Sequence, residues 1–460
     1  MATFCLASHV KASVHKQPST HGVGKLMTSV ASSIKPILQE LENASLKIKV
    51  SETIKSASSR MLDAFVDSVF QFVDRPLLPS QRNFAPVEEI GDPVEVDCVE
   101  GAIPADFPEG VYVRSVLRRS NHIWVEGEGM LHALYFTRTA DNNWKLAYKN
   151  KFAECETFKP EKKLNKPGFL PAIEGDSLAV FAGFLLNTLR FGIVNKIFSN
   201  TNVFEHAGKY YSVAENYLAQ EINISSLETL GNWDFSGAWD RPFTSHPKKA
   251  PGNGEPVTMG VDGVKPYYVV GVVSAEGKRL NHKVDLNFSG SILAHEVGVT
   301  EKYNIIFDYP LIVDPNRLLQ GGQLIKFEKE KYSRIGVMPR YGNASSVRKE
   351  QVWWPGKIYF EELEAGEDKE GQSHQAIKIV YQKFAKNNFC PGATYVSKPG
   401  AVEEDDGWIV AFRHDEDTDT SHVLVVDANN FEEEPIAKIA LPQRVPYGHH
   451  GAYFQTPTHL

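Results

Sequence analysis

Trp408-Ile-Val-Ala-Phe412 and His422-Val-Leu-Val-Val-Asp427 decide the fold class. Both runs are short and dense in β-branched and aromatic residues, and the stretch between them carries Asp415, Asp417 and Asp419, which favour turns. Working outward, the same rhythm recurs in Gly110-Val-Tyr-Val-Arg114, Tyr268-Val-Val-Gly-Val-Val273, Tyr303-Asn-Ile-Ile-Phe307 and Ile377-Lys-Ile-Val-Tyr381. Many short strands at short spacing, with few long helical patterns, predict an all-β sandwich, barrel or propeller over residues 79–460. The length of 460 residues favours a propeller. No WD or kelch repeat is visible, so a blade count cannot be read from a period.

Two segments depart from this rhythm. Across Ser51 to Val73, within a helical segment spanning 41–78, Ile54, Met61, Phe65, Val69 and Phe72 fall near one face, and Arg75-Pro76 ends the pattern. This predicts an N-terminal amphipathic helix, suited either to a membrane interface or to packing on the main domain. Leu178 to Phe198 is strongly apolar but interrupted by Asn187, Arg190, Asn195 and Lys196, too interrupted for a membrane-spanning helix. An amphipathic helix at a membrane surface, over a tunnel mouth or capping the β domain is expected there.

Composition excludes several classes. The net charge of −8, with basic residues scattered, argues against nucleic-acid binding. Four cysteines lie far apart without a CxxC pair, which disfavours a disulfide framework and a cysteine zinc site. No Asp or Glu precedes Glu40, serines are frequent, and no arginine precedes Arg60. Residues 1–40 therefore read as a plastid transit peptide or a disordered leader, with a cytoplasmic location as the alternative.

Of the fifteen histidines, most need no special role. His122, His206, His282, His374, His414 and His422 sit beside polar residues and are expected at the surface or hydrogen-bonded. No HxxH or HExxH spacing occurs, so a metal site would have to assemble from distant strands. Three histidines have distinctive settings: His246 in Phe243-Thr-Ser-His-Pro-Lys248, His295 in Ile292-Leu-Ala-His-Glu-Val-Gly298, and His450 in Arg444-Val-Pro-Tyr-Gly-His-His-Gly451.

These motifs resemble three of the four histidine motifs of the carotenoid cleavage dioxygenases, including the plant 9-cis-epoxycarotenoid dioxygenases. The separation of 49 residues between His246 and His295 matches that family. So do Gln81-Arg-Asn-Phe-Ala-Pro-Val87, Trp124-Val-Glu-Gly-Glu-Gly-Met-Leu-His132, Glu403-Glu-Asp-Asp-Gly407 and His414-Asp-Glu416, in the same order along the chain. The resemblance implies a seven-bladed β-propeller with histidines converging on Fe(II) at its axis. His246, His295 and His450 would be ligands, and Glu215, in Ser212-Val-Ala-Glu-Asn216, would orient one of them through its second ring nitrogen. The implied partners are O2 and a carotenoid or apocarotenoid drawn from a membrane by peripheral contact. The products would be two carbonyl fragments of one C=C bond. Plant relatives include enzymes that supply abscisic acid and broader 9,10(9′,10′) cleavers.

The chain also departs from the family. His449 stands where relatives usually carry Phe, and Ala393 where they often carry Glu. The resemblance stops near Arg340–Val347 and resumes near Gly356–Phe360, and Arg348 to Pro355 fits neither side. The intervening stretch, on the order of 140 residues in relatives, would make two to three blades at about 40–50 residues each. Its loss would leave an incomplete propeller without the third ligand histidine, and His374, in a polar run, is no replacement. A smaller gap follows Val113-Arg114, where relatives carry a longer loop. Two functions thus stand side by side: an Fe(II) dioxygenase, and an inactive, truncated relative that binds an apocarotenoid or a partner, or folds poorly.

Overall fold

The computed structural model describes residues 61–68, 83–85, 87–119, 127–164, 168–173, 176–352 and 380–455. Among these residues the chain forms six antiparallel sheets, five of them with four or more strands. Three are simple meanders or near-meanders. Asn202–His206, Lys209–Val213, Gln220–Ile222 and Thr229–Asn232 make one, and Lys248–Lys249, Pro256–Val261, Tyr268–Val273 and Leu280–Leu286 the next. Val297–Val299, Tyr303–Asp308, Ser333–Pro339 and Arg348–Val352 make the third. A small sheet of Ser291–Ile292, Leu311–Val313 and Ile325–Phe327 is built from the connections of that third sheet.

The second meander shows how sequence grades a sheet from inside to outside. Pro256–Val261 and Tyr268–Val273 are buried at every residue, as continuous apolar runs must be when both faces are covered. Leu280–Leu286 alternates half-buried and exposed positions, so it forms the outer edge. Arg348–Val352, whose sequence matched neither flank, pairs with Ser333–Pro339 as the fourth strand of its sheet.

The remaining two sheets stitch the N- and C-terminal parts together. The C-terminal strand Gly448–Phe454 pairs with Gly110–Arg119 in a five-stranded sheet, and Cys98–Gly101 pairs with Ala437–Ala440 in a six-stranded one. Between these two sheets lies the largest core. Trp408 is 1% exposed there and packs on Phe107 with ring centroids 5.0 Å apart. Gly407–Asp415 and Thr420–Asp427, the runs that set the fold class, pair along their lengths. Three sequence motifs meet as a clasp over this seam. Tyr447 Oη donates to Glu416 Oε1 at 2.9 Å, Asn83 Nδ2 donates to the same oxygen, and Arg444 Nη2 donates to Ala85 O at 2.7 Å. Ile377–Tyr381, another expected strand, lies mostly outside the described residues.

Where they are described, both expected helical segments use polar residues as well as apolar ones to pack. Helix α1 spans Phe158–Leu164 and was not apparent from the sequence pattern; α2 spans Ser177–Phe191. Asp176 caps α2 by accepting from Leu178 N at 3.0 Å, and Gly192, in the left-handed region at φ 76°, ends it. Asn187 faces inward. Its Nδ2 donates to Leu170 O and Val194 O at 2.7 Å, and its Oδ1 accepts from Leu170 N at 2.9 Å. Arg190 Nε donates to Asp63 Oδ1 at 2.7 Å, tying α2 to the helical residues 61–68. The apolar Leu178, Leu189, Phe191 and Ile193 face outward, as do Met61 and Phe65, while Val66 is buried. The rest of the expected N-terminal helix and the leader lie outside the described residues, and among those described no helix is long and apolar enough to cross a membrane.

A buried triad seats α1. Lys196 Nζ pairs with both Glu128 and Glu161, and Glu161 Oε1 also accepts from Phe169 N at 3.2 Å. Burial raises the Glu128 carboxyl to about 7, against the lowering influence of Lys196. A carboxyl raised on folding stabilises the fold fully below its unfolded value and loses that contribution as pH climbs through about 7. Stability is expected to fall by up to about 1.4 kcal/mol per pH unit across this window from this group. Glu128→Gln should flatten that slope in urea unfolding measured between pH 5 and 8; an unchanged slope would refute the assignment.

Candidate metal centre

Three sheet edges bring the singled-out histidines together. His246 lies two residues before the edge strand Lys248–Lys249, His295 two before the edge strand Val297–Val299, and His450 inside the edge strand Gly448–Phe454. His246 Nε2 and His295 Nε2 stand 3.0 Å apart, with ring centroids 4.6 Å apart and planes at 80°. The His450 ring lies 4.6 Å from that of His246 at 89°. His246 is 9% exposed, whereas the side chain of His295 is 53% exposed.

Glu215 orients His295. Its Oε2 lies 2.9 Å from His295 Nδ1 and also accepts from Ser245 N at 3.0 Å and Ser245 Oγ at 2.8 Å. Those bonds fasten the carboxylate to the loop that carries His246, so one oxygen braces both His246 and His295. His246 N in turn donates to Thr244 Oγ1 at 3.1 Å. With Nδ1 committed to Glu215, Nε2 is the nitrogen His295 presents to the centre. A second brace joins the same two loops, Lys248 Nζ to Glu296 Oε1 at 2.9 Å.

Burial, then the neighbouring His295 and His450, lowers His246 to about 3; burial, then His449 and His295, lowers His450 to about 4. Burial would lower His295 too, but the hydrogen bond and charge of Glu215 outweigh it and leave it raised. The set is thus two neutral imidazoles and a third made electron-rich by a carboxylate, which suits a divalent transition ion.

Dimensions agree with such an ion. Two imidazole nitrogens bound at right angles at about 2.1 Å lie about 3.0 Å apart, and their ring centroids about 4.6 Å apart. The pair His246–His295 meets both values, and His246–His450 meets the second. Among the described residues no group of three or more His, Cys, Asp or Glu side chains stands close enough together to hold a metal ion as placed. His246 and His295 present two nitrogens at ligand spacing and the His450 ring lies beside them, so the donor set, histidines only, suits a metal in its chemistry.

Other singled-out residues fall elsewhere. Ala393 is exposed at the start of Ala393–Ser397, and no carboxylate replaces it there. His374 and His122 lie outside the described residues. His206, expected at the surface or hydrogen-bonded, is 3% exposed, faces the backbone of Ser274 and Ala275, and packs on Trp233 at 5.7 Å. His414 is buried and bonds Ser421 Oγ at 3.0 Å, and His282 Nε2 lies 2.9 Å from Gly342 O. Sequence reading missed Arg114, which is 1% exposed and donates from Nη2 to Gly448 O at 2.6 Å and to Pro391 O. It clamps the strand bearing His450 to the neighbouring sheet, and an arginine in the middle of an apolar strand was the available signal.

The sequence pattern of the family described as retinal pigment epithelial membrane protein matches residues 84–372 and 357–455. The chain belongs to this family. The family's members include the carotenoid cleavage dioxygenases. This chain is 26% identical to a carotenoid 9,10(9′,10′)-cleavage dioxygenase of Pisum sativum, with 90% of this chain and 96% of that protein covered. It is 23% identical to the chloroplastic 9-cis-epoxycarotenoid dioxygenase NCED1 of Oryza sativa, with 87% and 79% covered. Among solved structures, the lignostilbene dioxygenase of Pseudomonas brassicacearum superposes with a TM-score of 0.67 at 17% identity, covering 84% of this chain and 99% of that one. Cobalt-substituted Synechocystis apocarotenoid oxygenase gives 0.64 at 18%, covering 81% and 98%. The fold is therefore that of the carotenoid oxygenases, mostly β with few helices.

Proposed function

We propose that this chain is a carotenoid or apocarotenoid oxygenase that binds Fe(II) through His246, His295 and His450. The convergence of those three rings, with Glu215 fixed on His295, carries the proposal. Held by these residues, an iron would supply O2 activation for oxidative cleavage of one C=C bond into two carbonyl products. The protein's share is positional. His246 and His450 stay neutral and hold their lone pairs toward the centre, and Glu215 keeps His295 in the tautomer that presents Nε2. The apolar Leu178, Leu189 and Phe191 on α2 offer contact with the membrane from which a polyene would be drawn.

One observation favours the inactive reading. The match to the Pisum relative runs over 532 residues, longer than this 460-residue chain, and the family pattern breaks where its two matches meet at 357–372. On this reading the deletion lies between Val347 and Gly356, the third ligand is lost with it, and fewer than seven blades remain.

Anaerobic loading of the full chain with Fe(II), metal analysis, and incubation with a carotenoid in lipid vesicles separate the two. Stoichiometric iron, vesicle binding and two aldehyde or ketone products are expected of the oxygenase. An iron-free, aggregated protein would sink that proposal. A plastid address in residues 1–40 is proposed on the acid-poor, serine-rich composition, and a fluorescent fusion retained in the cytoplasm would overturn it.

A further inference from the structure

We propose that His449 is an additional imidazole donor to the ion held by His246, His295 and His450. The inference rests on the metal-binding reading above and extends it to a residue that relatives usually replace with Phe.

The strand register carries it. Gly448 pairs with Val116 and Gly451 with Arg114, so His449 and His450 together stand opposite the single residue Ser115. In a regular strand consecutive side chains point to opposite faces, but an inserted residue sets two neighbours against one and re-aims them. Gly448 and Gly451 both sit across from residues of one face, Val116 and Arg114, which leaves His449 and His450 sharing the other. Their ring centroids are 6.3 Å apart. Two imidazoles on one ion have centroids about 4.6 Å apart at right angles and about 6.5 Å apart when opposite, so the spacing lies within the range a shared ion allows.

The backbone of this bulge is held while the His449 ring is exposed. Arg114 Nη2 donates to Gly448 O at 2.6 Å. On the other side, a Cβ at Gly392 would come within 2.7 Å of His449 O, and Gly392 has a φ of 133°, so the two backbones meet where only glycine fits. Among the described residues the His449 ring has no hydrogen-bond or ion-pair partner to give up. A donor with nothing to lose, on a fixed backbone and on the same face as a ligand, binds at the cost of side-chain rotation alone. Among the described residues no fourth strand brings a histidine to these three, and His449 fills part of that deficit from the strand that already carries His450.

The test is Co(II) titration of the full chain, followed by its visible d–d bands, for the wild type, His449→Phe and His449→Gln. Melting of the ion-free proteins is followed in parallel. Losing a direct donor should weaken Co(II) by at least the roughly tenfold to hundredfold that losing an outer-shell partner costs. Both variants should also change the band pattern while their ion-free melting stays with the wild type. Wild-type affinity and spectrum in both variants would overturn the role of His449 and leave the three-histidine centre standing. Failure of the wild type itself to bind Co(II) would overturn the centre and this inference with it.

Discussion

Alanine at His246 is expected to weaken ion binding by about a hundredfold or more, beyond the loss typical of an outer-shell partner. The reason is its place in the constellation. His246 is the ring that touches both other candidates, 4.6 Å from His295 and 4.6 Å from His450. Removing it leaves a half-exposed His295 and an exposed His450 with no donor between them. Its neutrality matters as well. Lowered to about 3, it loses no proton when an ion arrives, so no part of its affinity is spent on deprotonation near neutral pH. Iron content after anaerobic loading, read as ion per chain, checks the expectation. His282→Ala is the control, because that ring bonds Gly342 O and has no part in the centre. An H246A protein that retains a full equivalent of iron with unchanged affinity would remove His246 from the ligand set.

Why the three clustered histidines could be picked out in sequence, and the groups bracing them less so, follows from range. The histidine motifs were recognisable because each is a short local string, and the resemblance supplied their order along the chain. What no local string contains is which chain carries the bracing groups. Ser245 adjoins His246, yet its hydroxyl serves the carboxylate of Glu215, thirty residues earlier in sequence. Arg114 lies over three hundred positions from the Gly448 carbonyl it clamps. Helix α2 shows the same limit from the other side. Asn187 and Arg190 read in sequence only as interruptions of an apolar stretch, too polar for a membrane-spanning helix. In the folded chain they help seat the helix beside the buried Val180 and Gly183, since a buried irregular backbone needs polar partners as well as apolar ones. Periodicity records which residues differ, and tertiary context decides which of the two kinds turns inward.

The second large effect lies outside the centre, at Gly129. This glycine opens the strand Gly127–Arg138, whose first ten residues are all buried, and it belongs to the Gly-Glu-Gly motif singled out by sequence. A Cβ at this position would overlap Ser199 O and the carbonyl carbon behind it, and would sit 3.1 Å from Asn200 Cα. All three are backbone atoms, so no side-chain rotation relieves the clash. The loop at 199–201 cannot withdraw cheaply either. Ser199 Oγ donates to Ser212 Oγ at 2.7 Å, Asn200 Nδ2 donates to Gly127 O at 2.9 Å, and Thr201 N donates to Val213 O at 3.0 Å. Shifting it would break buried hydrogen bonds on both sides, each at about 1–3 kcal/mol. Gly129→Ala is therefore expected to destabilise the fold by about 3 kcal/mol or more, above the ordinary range for overpacking. The strain also has a direction. Lys209–Val213 leads within two residues to Glu215, so displacing Ser212 and Val213 should loosen the brace on His295 and lower ion affinity along with stability. Gly91→Ala is the matched control. It too lies in a strand, but a Cβ there meets nothing within 4 Å and should change stability by no more than about 0.5 kcal/mol. Denaturant midpoints for the two variants decide the matter: if Gly129→Ala unfolds at the midpoint of Gly91→Ala, close backbone approach is not what this position requires.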